Sequence, residues 1–233
     1  MVTSTRSAYI FRTSVAMSVP PALPASRILV LGIGNLLWAD EGFGVRAVET
    51  LNRGWCFPAQ VSLMDGGTQG LYLLPYVQEA DMLLVFDAVD YGDAPGTLRE
   101  VTGNDVPRFM GAKKMSLHQT GFQEVLAAAA LTGQLPQSLV LIGVQPETLE
   151  DFGGSLSPVV RAQLPEALRI AQGWLARWGA AGVKRDAVAA APDALASAAL
   201  TQDAYEAGRP DASSAWRAGD ARFLNLLREE LKE

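Results

Sequence analysis

The sequence predicts an α/β protein: three layers, α/β/α, around a mixed and mainly parallel sheet of about five strands. Ile28 to Leu31, Val61 to Met64, Met82 to Phe86 and Leu139 to Ile142 are short runs with, Ser62 apart, aliphatic or aromatic side chains at successive positions. Strands covered on both faces read this way. Between the runs, apolar residues recur at helical spacing, so strand and helix alternate and a parallel sheet with helices on both sides follows. One connection breaks the alternation: AVDYGDAPG, between Asp87 and the run Thr97 to Val101, is too short for a crossover helix. The strand it leads to is expected to run antiparallel to its predecessor.

Residues 1–26 form an N-terminal extension expected to be disordered; Arg6 and Arg12 are its only charges, and VPPALPAS interrupts the apolar stretch a secretory signal needs. Met17 is the expected true start. The domain spans residues 27–178. After its first strand, Val45, Val48 and Leu51 share one helical face, as do Leu71, Leu74 and Val77, and then Phe122, Val125, Leu126 and Ala129. Ser157 and Pro158 read as an N-cap and first helical residue, opening a helix through Val160, Leu164, Leu168, Ala171 and Leu175 that Pro165 kinks or divides. Residues 179–233 fall outside the domain. Gly179 to Leu200 is alanine-rich and reads as a mobile or weakly helical linker, followed by an amphipathic helix with Trp216, Phe223, Leu227 and Leu231 on one face.

With 233 residues, 49% of them hydrophobic, the chain can bury one substantial core. A net charge of −6 and a pI near 4.9 argue against nucleic acid or an anionic membrane as partner. No apolar run approaches the roughly 20 residues that span a bilayer, so membrane insertion is not expected. The single cysteine, Cys56, leaves no intrachain disulfide; it reads as a small packing residue in a cytoplasmic protein.

In open α/β sheets ligands bind outside the carboxyl ends of the strands, and there this sequence is acidic. The first strand leads through Gly32, Gly34 and Asn35 to Asp40 and Glu41; the second ends at Asp65, Gly66, Gly67 and Thr68; the third ends at Asp87. Gly32 and Gly34 match the first two glycines of a dinucleotide fingerprint, and Asp65 lies where a ribose-binding acid would lie. Leu37 occupies the third glycine's place, however, and the Asp40–Glu41 pair repels pyrophosphate at a helix start. Metal chemistry fits better. His118, the only histidine, stands in KKMSLHQTGF just before the helix that carries Phe122. With Glu41 and Asp87 it offers one imidazole nitrogen and two carboxylates, a set suited to nickel, zinc or iron. Asp40 reads better as a helix cap. No G-x-S-x-G elbow and no paired D-T/S-G loops are present, which disfavours serine hydrolases and pepsin-like proteases.

The motifs GIGNLLWADEGFGVRAVE, LMDGGTQG, LLVFDAVDYGDAPGT, SLHQTGFQEVL and LIGVQPE, in this order, resemble the maturation endopeptidases of NiFe hydrogenases, and HQTGFQEVL is most similar to members serving membrane-bound uptake hydrogenases. The resemblance covers Arg27 to Trp178. It implies a hydrolase, aspartic in type, that removes a C-terminal extension from the hydrogenase large-subunit precursor after nickel insertion, in the cytoplasm. By the same resemblance Glu41, Asp87 and His118 are the metal ligands, with Glu41 and Asp87 also candidates for the catalytic role, and Asp65, Gly66, Gly67 and Thr68 form a substrate-binding loop. Nickel would be supplied by the substrate, with zinc or cadmium as substitutes. A non-catalytic hydrogenase assembly factor and a stand-alone metallohydrolase are the alternatives.

Overall fold

The computed structural model describes residues 26–110, 117–186, 194–195 and 197–209, apart from the side chains at 108–110 and 117–120. The central sheet contains β1 (Ile28–Ile33), β3 (Val61–Gly67), β4 (Met82–Ala88), β5 (Leu98–Thr102) and β6 (Ser138–Val144); β2 (Trp55–Cys56), between β1 and β3 in the chain, belongs to a separate ribbon. Its order is β3-β1-β4-β6-β5. All neighbours are parallel except β5, whose Leu98 pairs with Val144 and Thr102 with Val140 of β6. The expected antiparallel strand is therefore present, and it has crossed beyond β6 to the sheet's edge.

Each strand sends alternate side chains to opposite faces, and this builds the three expected layers. Ile28, Val30, Leu84, Phe86, Val140 and Ile142 pack with α1 (Phe43–Gly54) and α6 (Leu164–Arg177). Leu29, Leu31, Leu83, Val85, Leu139 and Leu141 pack on the other face with α2 (Leu74–Glu79), α3 (Asp105–Met110) and α4 (Leu117–Leu131). Pro165 divides the fourth helical stretch: α5 (Pro158–Arg161) ends before it, and the proline sits in the first turn of α6, where its missing N–H costs nothing.

Packing does not stop at Trp178. Ala180 is fully buried, and β7 (Val183–Lys184) pairs antiparallel with β2, which differs from the linker expected there. Further on, α7 (Gln202–Ala207) docks on the domain: the Arg46 guanidinium donates to the Leu200 carbonyl at 2.6 Å and lies 5.6 Å from the Tyr205 ring centre. Arg46 and Glu49, on the polar side of α1, are thereby 2% and 6% exposed and ion-paired at 2.9 Å. Cys56 is exposed rather than packed, because β2 lies outside the main core. The helix expected over Trp216 to Leu231, the extension at 1–26 and Met17 lie outside the described residues. Among the described residues no helix is long and apolar enough to cross a membrane.

Candidate active site

The strand order creates one switch point. From β1 the chain goes outward to β3, then returns across β1 to β4, so the connections after β1 and β4 part in opposite directions and leave a crevice between them. Glu41 follows β1, and Asp87 is the penultimate residue of β4. The 3-10 turn Ala39–Gly42 that carries Glu41 packs against the end of β4. The start of α1 is pressed into the same crevice: a Cβ on Gly44 would lie 2.2 Å from the carbonyl oxygens of both Ile33 and Phe86. A Cβ on Gly32 would lie 2.4 Å from the Gly44 carbonyl. Close helix-to-strand approach, which Leu37 had argued against, is thus supplied later in the chain by Gly44.

The Glu41 turn is tightly determined. Glu41 donates its N–H to the Trp38 carbonyl at 2.9 Å and accepts from the Asn35 N–H at 3.1 Å, while a Cβ on Gly34 would fall 1.9 Å from its carbonyl oxygen. Ala39 has φ +41°, the only positive φ outside glycine among the described residues. Such strain persists only where surrounding contacts hold it. Glu41 is half-buried; Asp87 is fully buried, paired in register with Gly143.

Asp40 does not cap a helix. Neither the 3-10 turn nor α1 has a side-chain cap; instead the buried Asp40 carboxylate accepts the N–H groups of Glu147 at 2.9 Å, Thr148 at 3.0 Å and Ser157 at 2.7 Å. The acid turned inward because loop 147–157, seen only in three dimensions, needs an acceptor for its amides.

The Asp65 to Thr68 loop begins as a bulge. Gly32 pairs with Asp65 but Ile33 pairs with Gly67, leaving Gly66 extra, and the carbonyl of Gly67, at φ +45°, accepts the Gly34 N–H at 3.1 Å. Burial, reinforced by the charge of Glu49, pushes the Asp65 carboxyl above its usual range, although the Gly67 amide and Arg46 oppose this.

His118 is in the first turn of α4, not in the loop before it; its side chain lies outside the described part. Three residues on, a Cβ on Gly121 would lie 3.2 Å from the Gly70 Cα, so this helix start sits against the turn that follows the Asp65 loop. Among the described residues no group of three His, Cys, Asp or Glu side chains is close enough to hold a metal. The candidate triad therefore rests on two described carboxylates and a backbone position.

Two residues of the edge escaped sequence reasoning. Tyr91 lies over β6, where a Cβ on Gly143 would meet its hydroxyl at 2.1 Å; burial, then the charge of Asp87, pushes its phenol well above the usual range. Gln145, in the LIGVQPE run, accepts the N–H groups of Tyr91 at 2.8 Å and Asp93 at 3.2 Å and donates to Asp90 at 3.1 Å. The signal was a Gly two residues before a Gln at a strand end, too common to be read alone.

Fold and site together define a class: an open α/β protein with acidic residues at the strand ends beside its switch point. Known proteins narrow this. A family model described as HycI, hydrogenase maturation protease, matches residues 45–174. The chain is 62% identical over 202 residues to the hydrogenase expression/formation protein HoxM of Azotobacter vinelandii, covering 87% of this chain and 96% of that one. It is 41% identical over 163 residues to the hydrogenase 2 maturation protease of Escherichia coli strain K12, covering 70% and 98%. The solved hydrogenase maturating endopeptidase HybD from E. coli shares the fold with a TM-score of 0.65 at 40% identity, covering 68% of this chain and 98% of that one. This chain belongs to the hydrogenase maturation protease family, and it is a hydrolase of the endopeptidase kind.

Proposed function

We propose that this endopeptidase removes the C-terminal extension of a NiFe hydrogenase large-subunit precursor once nickel has been inserted, in the cytoplasm, and that nickel carried by the substrate is what it recognises. The supporting observation is that, in a member of this family, the turn bearing Glu41 packs against the strand whose penultimate residue is Asp87. In this reading Glu41, Asp87 and His118 dock on substrate nickel, or on zinc or cadmium in its place. Three donors leave coordination positions open for the precursor's own ligands. The protein then needs no tightly held metal of its own.

Docking places the scissile peptide at the sheet edge, beside the Asp65 to Thr68 loop. A water activated by Glu41 or Asp87 adds its oxygen to the peptide carbonyl; the C–N bond then breaks and the departing amine takes a proton. Asp65 suits that last transfer, since its carboxyl holds a proton more readily than an ordinary aspartate.

Purified nickel-loaded precursor, incubated with wild type, Glu41→Gln, Asp87→Asn or His118→Ala, tests the reading through the mass of the released tail. Wild type cuts, each variant loses at least about a hundredfold, and nickel-free precursor stays intact. Full cleavage by the variants removes the proposed site. Binding without cleavage by wild type identifies an assembly factor, and activity on small peptides with metal retained through purification identifies a stand-alone metallohydrolase.

A further inference from the structure

Glu41 is fixed from behind. Its neighbour Asp40 is 0% exposed and its carboxylate is filled by three backbone amides of one loop: Oδ2 takes those of Glu147 and Thr148, and Oδ1 takes that of Ser157. The Asp40 N–H also reaches the Thr148 carbonyl at 3.3 Å. Around the same loop the Gly153 N–H donates to Leu37 at 2.7 Å, and Trp38 stands against Phe152 with ring centres 5.3 Å apart. Trp38 and Phe152 are 36% and 61% exposed, so this aromatic pair forms an open lip beside the Glu41 turn. On its outer side the loop is held by Glu206, which receives Ser155 and Arg161, and by Arg209 on Asp151.

We propose that Asp40 is the positioning residue of the cleavage site: it ties the Glu41 turn to loop 147–157, so that Glu41 and the Trp38–Phe152 lip meet the precursor as one rigid body. This rests on the function proposed above. Consecutive Cα atoms are about 3.8 Å apart, and within a four-residue 3-10 turn Glu41 cannot shift unless Asp40 shifts with it. Loss of the tie lets the turn and the loop move apart. An error of about 1 Å in a reacting group costs on the order of a hundredfold in rate.

Asparagine keeps the shape of Asp40 but offers one oxygen and an NH2, so at least one of the three amides then faces a donor. With nickel-loaded precursor, Asp40→Asn is expected to lower kcat about 30- to 100-fold and leave KM within about threefold, at a temperature where circular dichroism shows it folded. Leu168→Ala, a buried change on α6, matches its loss of melting temperature and keeps kcat within about twofold. A second variant approaches from the loop: Ser157 has φ −57°, which proline tolerates, so Ser157→Pro deletes the amide that Asp40 receives and should also lower kcat. Ser157→Ala keeps that amide and should not.

If Asp40→Asn cuts within threefold of a wild type that cuts, the positioning role is overturned and the function stands. The same holds if kcat falls equally in Leu168→Ala, or if Ser157→Pro and Ser157→Ala behave alike. A wild type that leaves nickel-loaded precursor intact overturns the function itself.

Discussion

The turns after β1 and β3 leave neighbouring strands at the same sheet edge, and each carries an acid held in a different way. Asp40 is bonded to amides 107, 108 and 117 residues away and has no exposed surface. Asp65 is held by its own loop, through the Gly67 amide, and stays partly open to solvent with its carboxyl raised. An acid whose oxygens are filled by distant backbone amides acts as a tie. One held locally and half-buried keeps its freedom to gain and lose a proton. The first acid is thus fixed by distant parts of the chain and the second only by its own turn.

The largest expected effect separates the turns by activity. Glu41→Gln should lower precursor cleavage by about 10²- to 10⁴-fold, while Asp65→Asn lowers it by about tenfold; mass spectrometry of single-turnover reactions measures both. Equal losses would erase the contrast. Next, a methyl group should be far worse tolerated on the β1 side. Gly44→Ala forces Cβ against two carbonyl oxygens 2.2 Å away, an overpacking of about 3 kcal/mol, whereas Gly67→Ala meets nothing nearer than 3.5 Å and suffers mainly its φ of +45°, about 1–2 kcal/mol. Denaturant melts give the ratio.

The third prediction concerns pH. The folded protein holds the Asp65 proton more tightly than the unfolded chain, so this group's contribution to stability is complete at low pH and is lost as pH rises through the folded value. Asp65→Asn mimics the protonated form. It should melt above wild type near pH 7, and the gap should close as pH falls towards ~4. The smallest effect belongs to the outer support of loop 147–157. Arg161, with Ser155 and Gln202, pulls the Glu206 carboxyl from 4.5 to about 2, so its contribution is present above about 4.5 and is lost as pH falls towards about 2. The pair is 41% and 32% exposed, so Glu206→Gln should lower Tm at neutral pH by only about 1–2 °C.

Much of this was legible beforehand. Strand runs at Ile28, Met82 and Leu139 are continuous because both faces are covered, whereas the run at Val61, broken by Ser62, forms the partly exposed edge strand β3. The apolar stripe at Val45, Val48 and Leu51 marked α1, and Pro165 marked the break before α6. Glu41, Asp65 and Asp87 were found because the ends of parallel strands share one edge. The role of Asp40 was misread, since an acid before a helix is locally indistinguishable from a cap. Nothing local marks Arg46 and Glu49 as buried; Arg46 meets Leu200 and Tyr205 only in the folded chain.

By itself, then, the sequence determined the layer order, the helix faces and which acids stand at the strand ends, because periodicity and turn chemistry act over a few residues. Tertiary structure alone decided the switch point between β1 and β4, the bonding of Asp40 to loop 147–157, the seating of Tyr91 over Gly143 and the docking of α7. These join residues about 50 to 160 positions apart, in large part through backbone groups that every residue type carries and no sequence pattern marks.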